Sequence, residues 1–530
     1  MSDPVLIAGA GPTGLAAALE LSRLGIPVRI VDRLAEPPRT SRAVGVQART
    51  LELLEQRGLA AELVGLGEPG VAGSIYGGGD RLFRVDFTGI DSRYAYILFV
   101  SQAETERVLR DAIERGGTQI ERGVELVGLS QDAHAHDPSP VRYVLRHPDG
   151  RLEQAQAPWL IDAEGAHSTV RTTLDLQFEG KTRQEDYILG DLHIDGDIAA
   201  TDFHIFSSAH GLLALFPMGR RHFRLIASNP LSTPRPDTAP GLEELQAIFD
   251  QRSHIPARLR DLVWSSWFRI NSRMVQRLKV GRLLLGGDAA HIHSPAGGQG
   301  MNTGIQDMVN LGWKLALVMR GQAPAVLLDT YEQDRLPVMR SVLSRTEGLT
   351  DVIGSENHVV RGLLNHIGPW FGGAAIVQEA ATARISQTAL GYRDSPLSAN
   401  HAHDGGLHAG DRVPDMPVRV RGDSGWRDDT LLAVLDPSRF VLLVVRADET
   451  APGSEKIGHA VRPWADVVGI ADLSAATGEA AQARFRAAFG RSAGAFLVRP
   501  DGYVGLAAGE HEAARHLQAY CRRWLTTPGG

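Results

Sequence analysis

Near its N-terminus the chain reads Val5-Leu6-Ile7-Ala8-Gly9-Ala10-Gly11-Pro12-Thr13-Gly14, a short apolar run that leads into a glycine-rich turn. The segment that follows, Leu15–Leu21, is rich in Ala and Leu and favours a helix, which Gly25 ends. A second apolar run, Val28–Val31, is closed by Asp32. Strand, turn, helix and strand in this order form a βαβ unit, so we predict an α/β fold built on a parallel sheet.

The glycines of this turn have the spacing of a dinucleotide-binding motif. Gly9, Gly11 and Gly14 match GxGxxG, in which the glycines allow a tight turn, close approach to a pyrophosphate, and close packing of helix on strand. The helix N-terminus, which includes Thr13, offers N–H groups to phosphate, and Asp32 stands where a carboxylate accepts from ribose hydroxyls. The motif alone leaves FAD and NAD open, and a glycine turn without a ligand is the structural alternative.

Composition and charge exclude several classes of protein. The 530 residues include 55 Lys and Arg against 62 Asp and Glu, so there is no basic footprint and nucleic acid is not an expected partner. The single cysteine, Cys521, excludes an internal disulfide, a CxxC redox pair and a cysteine-rich metal site. No run approaches the ~18 consecutive apolar residues of a membrane span, and none resembles a signal-peptide core. We therefore expect a cytoplasmic protein with no membrane partner.

A second motif begins after the apolar run Leu283–Leu285. It reads Gly286-Gly287-Asp288-Ala289-Ala290-His291 and continues with Pro295-Ala296-Gly297-Gly298-Gln299-Gly300-Met301-Asn302. This long run resembles the FAD-dependent aromatic hydroxylases, single-component monooxygenases with the para-hydroxybenzoate hydroxylase fold. The resemblance implies that Asp288 binds the ribitol chain of FAD. It also implies that Gly298, Gly300, Met301 and Asn302 lie beside the flavin, where N–H groups at a helix start stabilise the negative charge of its reduced form.

Three further segments resemble parts of the same family. Residues Ile161–Arg171 resemble its DG motif, which is linked to NAD(P)H binding, although Glu164 and His167 replace the usual Asp and Arg. The choice between NADPH and NADH therefore stays open. The segment Ser41–Glu52 resembles one that passes the cofactor, and Arg42 would reach the pyrophosphate or the mobile flavin. The segment Ser101–Glu106 resembles one in which a glutamine, here Gln102, contacts FAD. Arg33 would border the adenine, with an exposed surface arginine as the alternative.

Short strand-like runs dominate from about residue 178 to 275, which predicts an inserted antiparallel sheet as the substrate domain. Phe216, Pro217 and Met218 are candidate walls of a substrate cavity, and Pro295 would lie near the reacting carbon; core packing explains each of them equally well. His204, His210, His222 and Tyr187 are candidate acceptors of a phenol proton, but none is singled out, so the catalytic base stays unassigned. No metal site is predicted at His291 and His293, because no further ligands accompany them.

The C-terminal part resembles a different unit. Asp411–Asp415 and Leu497–Val504 resemble the thioredoxin-like C-terminal domain of the phenol hydroxylase and aromatic polyketide hydroxylase branch. Thioredoxin chemistry needs two thiols, so a redox role is excluded. We predict a first FAD-binding part at residues 1–177, a substrate sheet at 178–275, the rest of the FAD-binding domain with a helical segment at 276–395, and a thioredoxin-like domain at 408–530.

The resemblance implies a monooxygenase that hydroxylates a phenolic or polycyclic aromatic compound with NADPH or NADH and O2, through a flavin C4a-hydroperoxide. A flavoprotein that sequesters an aromatic compound without efficient turnover is the alternative. A flavoprotein disulfide reductase needs the CxxC pair that is missing. A flavin halogenase carries WxWxIP, which Trp264-Ser265-Ser266-Trp267 does not match. Monomer and homodimer are both open.

Overall fold

The structure is a computed structural model, and its described residues are 3–38, 43–131, 139–219, 221–229, 235–294, 298–353, 375–401, 403–446 and 455–527. Residues 184, 345–353 and 375–377 are described by their backbone only. Within these ranges, no helix has both the length and the apolar character needed to cross a membrane.

The first part of the chain alternates strands and helices, as the βαβ pattern predicts. Its elements are β1 (Val5–Ala8), α1 (Pro12–Arg23), β2 (Val28–Asp32), β3 (Gly45–Val46), α2 (Ala48–Glu55), α3 (Ala60–Leu66), β4 (Glu68–Gly70), β5 (Ala72–Gly77), β6 (Asp80–Asp86), β7 (Ile97–Phe99), α4 (Gln102–Arg115), β8 (Ile120–Arg122), β9 (Glu125–Ser130), β10 (Val141–Arg146), β11 (Leu152–Ala157), β12 (Leu160–Asp162) and α5 (Thr169–Thr173).

The middle of the chain supplies long strands and then long helices. Its elements are β13 (Glu179–Gly196), β14 (Asp202–Ser208), β15 (Gly211–Pro217), β16 (His222–Asn229), α6 (Leu242–Ser253), β17 (Ala257–Met274), β18 (Lys279–Val280), β19 (Leu283–Leu285), β20 (His291–Ile292), α7 (Gly300–Met319), α8 (Asp329–Ile353) and α9 (Ala375–Ile385).

The last part is again α/β. Its elements are β21 (Ala399–Asn400), β22 (Pro417–Gly422), β23 (Gly425–Thr430), α10 (Leu431–Val434), β24 (Phe440–Val445), α11 (Glu455–Val461), β25 (Val468–Ala475), α12 (Glu479–Phe489), β26 (Gly494–Val498), β27 (Val504–Gly509) and α13 (Glu510–Trp524).

A six-stranded sheet, in the order β18-β19-β12-β1-β2-β8, organises the first domain. Strands β19, β12, β1, β2 and β8 are mutually parallel, with Leu6 opposite Leu160 and Leu160 opposite Leu283. Because parallel strands end at the same edge, the segments that follow β1, β12 and β19 are brought together there. These are the three segments that carry the glycine turn, the DG-like motif and the GD motif.

An eight-stranded sheet has the order β20-β17-β13-β16-β15-β14-β5-β6 and contains the strands predicted to form the substrate domain, and it is here named the substrate sheet. It extends beyond residues 178–275, because β5 and β6 join it through a parallel pair of β14 with β5. One face packs under α6 in an apolar cluster that contains Ile188 and Phe249. The opposite face, here named the aromatic face, consists of Tyr187, Leu189, Phe216, Ile226, Trp264, Phe268 and Ile270 together with Ala214 and Ile205. Phe216 and Ile205 also pack against the core of the first domain, so this is the face that meets it.

The C-terminal sheet has the order β21-β27-β26-β24-β25-β22-β23, with β24 parallel to β25 and antiparallel to β26. Side chains of β24 alternate between two cores, as a strand covered on both faces requires. Val441, Leu443 and Val445 point into the domain's own core, whereas Phe440, Leu442 and Val444 join the core of the first domain. The two domains therefore share apolar packing.

Candidate cofactor and substrate site

Glycine occupies each of the three positions of the first turn for a different structural reason. Gly9 has a φ of +100°, and a Cβ there would overlap the carbonyl oxygen of Ala163. A Cβ on Gly14 would overlap the carbonyl oxygen of Gly9. Beside Gly11, in contrast, no described atom lies within 4 Å of the Cβ position. This opening lies at the N-terminus of α1, where Gly11 is the N-cap and Pro12 begins the helix, so it fits a pyrophosphate.

Asp32 braces the same turn. Its Oδ2 accepts a hydrogen bond from Ala10 N at 2.7 Å, its Oδ1 accepts one from Leu34 N at 2.8 Å, and Nη1 of Arg122 lies 3.5 Å from Oδ2. A carboxylate has about four acceptor sites, so these bonds leave capacity for ribose hydroxyls, and that role stays a prediction. Arg33 is exposed, and its charge acts on the nearby carboxyl of Glu164.

The ends of β1, β12 and β19 are joined directly. Ala163 N donates to Ala8 O at 2.8 Å, and Gly286 N donates to Asp162 O at 3.1 Å. Thr13 lies between two glycines, because a Cβ on either Gly287 or Gly304 would overlap its Oγ1. The Thr13 side chain thus packs α1 against the GD turn and α7. Asp288 is exposed on a short 3₁₀ turn beside Gly287.

Two carboxyl groups occupy the DG-like segment. Asp162 is fully buried, and burial together with the charge of Glu164 raises its pKa to about 7. Its carboxyl accepts from Ser168 Oγ at 2.6 Å and from Glu164 N at 3.1 Å. Burial also raises the pKa of Glu164, which accepts from Thr169 N at 2.9 Å at the start of α5. The sequence analysis singled out Glu164 but not Asp162. The only feature of the sequence that marks Asp162 is that an acidic residue directly follows the apolar core of a buried strand. His167 is exposed.

The start of α7 is fixed by Asn302, which is fully buried. Its Nδ2 donates to Gly45 O and to Gly298 O, each at 2.8 Å, and its Oδ1 accepts from Gln47 N at 2.9 Å. The side chain therefore holds β3 against the glycine turn. Gly298 has a φ of +62°, and Gly300 and Met301 are the first residues of the helix. Both side-chain N–H groups of Asn302 are therefore used within the protein.

Beneath this turn lies a buried hydrogen-bonded chain that the sequence did not reveal. His291 Nε2 donates to Asp307 Oδ2 at 2.8 Å, and Arg335 Nε donates to Asp307 Oδ1 at 2.7 Å. Arg335 Nη1 also donates to the hydroxyl of Tyr392 at 2.9 Å. Burial opposes ionisation of Asp307, but the charges of Arg335 and His291 outweigh it and lower its pKa. The carboxylate thus orients His291.

The remaining residues predicted to lie near the cofactor are Gln102, Arg42 and Pro295. Gln102 begins α4, and its Nε2 donates to Glu106 Oε1 at 2.8 Å. Burial raises the pKa of that Glu106 carboxyl, which also senses the charges of Arg122 and Asp32. Arg42 and Pro295 lie outside the described residues.

Among the substrate candidates, the ring of Phe216 lies 6.0 Å from that of Phe99 and 6.1 Å from that of Phe203. Pro217 is buried, and Met218 is partly buried against the first domain's core. Tyr187 is buried on the aromatic face, with its ring 5.6 Å from that of Phe268. Phe216 and Tyr187 are therefore placed where the substrate sheet meets the first domain.

The three histidines predicted as possible acceptors of a phenol proton differ in their burial and contacts. His204 is a satisfied core residue, because its Nε2 donates to Ala199 O at 2.9 Å and its Nδ1 accepts from the Tyr76 hydroxyl at 3.2 Å. His210 is exposed. His222 stacks on His193, with ring centroids 5.1 Å apart.

A buried ion pair on the aromatic face was also missed. Arg224 donates through Nε and Nη2 to the two oxygens of Asp191, each at 2.8 Å, and Trp264 Nε1 donates to the same carboxylate at 2.6 Å. Arg224 Nη1 further reaches Ala43 O at 3.3 Å. The substrate sheet is thereby joined to the segment that follows Arg42. Nothing local in the sequence marks this pair, since its partners lie on different strands.

Comparison with known proteins identifies both halves of the chain. Residues 2–346 match the family model described as "FAD binding domain", and residues 407–528 match "Aromatic-ring hydroxylase, C-terminal". The chain is 35% identical to a 6-methylpretetramide 4-monooxygenase of Streptomyces rimosus, over 97% of this chain and 92% of that protein. It is 33% identical to a pentachlorophenol 4-monooxygenase of Sphingobium chlorophenolicum, over 95% and 94% of the two chains.

A solved structure, an anhydrotetracycline hydroxylase from Streptomyces rimosus, matches with a TM-score of 0.78 and 30% identity over the full length of both chains. The predicted fold class, a Rossmann-type FAD-binding domain with an inserted antiparallel sheet, a helical segment and a thioredoxin-like C-terminal domain, is confirmed by these matches. Because both family models and a relative of 35% identity match over nearly the whole chain, the chain belongs to the FAD-dependent aromatic-ring hydroxylases.

Proposed function

We propose that this enzyme hydroxylates a phenolic or polycyclic aromatic substrate, with NADPH or NADH as reductant and O2 as the source of the new oxygen. The observation that carries the proposal is the junction of β20 with α7. There the edge strand of the substrate sheet leads into the turn predicted to contact the flavin. The names of the relatives, which specify 6-methylpretetramide, pentachlorophenol and anhydrotetracycline, support this class of substrate.

The residues present fit FAD. The opening beside Gly11 and the N-terminus of α1 would hold the pyrophosphate, and Asp32, Arg33 and Gln102 would lie toward the adenosine half. Asp288, exposed at the same edge, would hold the ribitol chain. Bound FAD supplies the redox chemistry, which is hydride uptake from the nicotinamide and activation of O2.

The chain's own groups would perform three tasks around that chemistry. The N–H groups of Gly300 and Met301, at the start of the 20-residue helix α7, would stabilise negative charge on the reduced ring. The aromatic face, with Tyr187, Phe216 and Phe268, would hold the flat substrate and exclude water. Asn302 would keep the turn in place, because all of its side-chain bonds are to the protein.

The domain limits predicted above are part of the proposal. The family matches at 2–346 and 407–528 support an N-terminal cofactor-and-substrate unit and a separate C-terminal unit. For the reductant, the exposed His167 and Arg33 beside the Asp162–Glu164 pair mark the surface where NADPH or NADH would approach.

The test is a screen of phenols and polycyclic phenols for stimulated oxidation of NADPH and of NADH, with mass spectrometry of each product. We expect stimulation with a gain of one oxygen atom. A compound that binds without stimulation or product would instead identify a sequestering flavoprotein. Asp288→Ala should lower retention of FAD, measured as bound FAD per chain after gel filtration. Recovery of FMN from the wild type would contradict the proposed cofactor site.

A further inference from the structure

His293 follows the edge strand β20, between the substrate sheet and α7. In the antiparallel pair of β17 with β20, Met274 lies opposite His291, so these two side chains share a face of the sheet. Alternate residues of β17 on that face include Phe268 and Ile270, which belong to the aromatic face. The rings of His291 and His293 are parallel within 3° at a centroid distance of 6.4 Å. His293 therefore lies at the end of the aromatic face that adjoins α7.

The tautomer of His293 follows from the hydrogen bond of its Nδ1. Nδ1 lies 2.8 Å from the carbonyl oxygen of Ser294. A carbonyl only accepts, so Nδ1 carries the proton and donates. Burial lowers the pKa of His293 to about 4, so the ring is neutral near pH 7. Nε2 of a neutral ring protonated at Nδ1 is an acceptor.

That acceptor is buried and unused by the described residues. Nε2 of His293 has no hydrogen-bond partner in the part of the chain that the structure describes, and it is shielded from solvent. It lies 3.7 Å from the Cβ position of Gly300, the first residue of α7. Buried polar atoms are nearly always hydrogen-bonded. An orphaned acceptor at this position therefore calls for a ligand that brings an O–H or N–H donor.

His291 explains why His293 is held there. Its Nε2–H donates to Asp307, which Arg335 also holds. This bond fixes the ring of His291 and the backbone of β20, and with them the position of the neighbouring His293. His291 is thus a positioning residue, held through Nε2, although its Nδ1 is also buried without a partner among the described residues. His293 differs in presenting its unpartnered Nε2 beside the first residue of α7.

We propose that Nε2 of His293 accepts a hydrogen bond from the hydroxyl group of the phenolic substrate. This inference rests on the proposed function, which supplies a phenol beside the aromatic face. The bond increases electron density on the ring carbons ortho and para to the hydroxyl and sets which edge of the ring faces the flavin turn. The lowered pKa of His293 and the N-terminus of α7 both disfavour a cationic ring, so the proton stays on the phenol oxygen in the bound complex. The N3–H of the flavin is the other donor of the same chemistry, and the experiment separates the two.

The experiment measures binding to the FAD-loaded enzyme. The probes are 2-naphthol and its methyl ether 2-methoxynaphthalene, which has the same ring and no donor; flavin absorbance and naphthyl fluorescence report their dissociation constants. We expect the wild type to prefer 2-naphthol by about 5- to 20-fold, the range of one buried hydrogen bond. His293→Phe should reduce this preference to about 1 with FAD content unchanged. His293→Gln, which can place an amide oxygen near the position of Nε2, should restore part of it.

His222→Phe is the matched control. His222 also has a buried Nε2 without a partner in the described residues, but it pairs with His193 at the opposite end of β13 from the Glu179–Met274 pair. It should keep the full preference. An unchanged preference in His293→Phe would overturn the proposal. A loss of FAD affinity in His293→Phe with the preference for 2-naphthol retained would also overturn it, because Nε2 would then accept from the flavin N–H. Failure of the proposed function is separate, since it appears in the wild type as no oxygenated product from any phenol.

Discussion

Replacing Asp334 by Asn should loosen the C-terminal domain from the first domain, because this carboxylate joins two buried cations. Its Oδ2 accepts from Lys314 Nζ at 2.7 Å and from Arg499 Nη2 at 2.8 Å. Asn310 Nδ2 donates to the same atom at 3.0 Å. Lys314 and Asp334 lie on α7 and α8, whereas Arg499 follows β26 of the C-terminal sheet, and all three side chains are fully buried.

The magnitude follows from the charge left behind. Asp501 lies within 2.5 Å of Arg499 and neutralises one cation. Without Asp334, one buried positive charge therefore has no counterion. Removing one partner of a buried pair typically costs about 3–5 kcal/mol. We expect a loss of that size in the free energy of unfolding, since asparagine keeps the volume of the site but not its charge.

The pH dependence gives a second, sharper readout. Burial lowers the pKa of Lys314 to about 8, against the opposing charge of Asp334. Without that carboxylate the pKa falls further. Between the folded pKa and the unfolded value of about 10.4, the unfolded chain binds more protons, so stability rises with pH in that window. In the variant this rise in stability begins at a lower pH, because the pKa of Lys314 is lower. The difference in the free energy of unfolding between the variant and the wild type should therefore shrink as the pH approaches 8.

The assay is urea unfolding followed by tryptophan fluorescence, to which the buried Trp313 contributes; its ring lies 5.6 Å from both Lys314 Nζ and Arg499 Cζ. The control is Asp195→Asn, which removes an exposed pair with Arg260 and should cost less than about 1 kcal/mol. If Asp334→Asn costs no more than this control, or its deficit is the same at pH 6 and pH 8, the reasoning about uncompensated charge is wrong.

The remaining predictions concern the cofactor edge and the lone thiol. Gly11→Ala should change the melting temperature of the FAD-free protein little but lower bound FAD per chain, because its methyl group enters the opening; Gly14→Ala should impair folding itself, because its Cβ overlaps Gly9 O. Asp162 has a pKa raised to about 7, so the wild type should lose stability as the pH rises from about 4 to 7. The melting temperature of Asp162→Asn should lack this fall between pH 5 and pH 8. An equal fall in the wild type and the variant would contradict the raised pKa. Cys521 is buried in α13 and burial raises its pKa to about 12; Cys521→Ser should keep NADPH oxidation and hydroxylation while losing about 1–3 kcal/mol of stability, and collapsed activity with normal FAD content would refute a structural role.

Features that depend on neighbours in sequence could be predicted from sequence. The turn at Gly9–Gly14 and the helix α1 that follows it are set by local glycines and by a run rich in Ala and Leu, and both lie where predicted. The family resemblance rests on such local runs and is confirmed. The roles of Asp32, Gln102 and Asp288 stay predictions, because local sequence places these residues at the cofactor edge without showing what they bind.

Features that depend on distant partners could not be predicted. Residues 72–86 join the substrate sheet through a parallel pair with β14, more than a hundred positions later in the chain. Asp334 and Arg499 are 165 positions apart, and Asp191 and Arg224 are 33 apart on separate strands. An isolated Asp or Arg in the sequence predicts an exposed side chain, because a buried charge needs an opposite charge beside it. The sequence does not show which distant residue supplies that charge.

His291 and His293 illustrate how tertiary structure changes the meaning of a motif. Their i, i+2 spacing in the sequence raised only the question of a metal site. Across the described residues no group of three or more His, Cys, Asp or Glu side chains is arranged to hold a metal ion. The long-range bond from Asp307 makes Nε2 of His291 a donor, whereas the local carbonyl of Ser294 leaves Nε2 of His293 an acceptor. The Nε2 atoms of two identical side chains, two residues apart, thus acquire opposite hydrogen-bonding roles from different partners, and the Nε2 acceptor of His293 is the one proposed to meet a substrate hydroxyl.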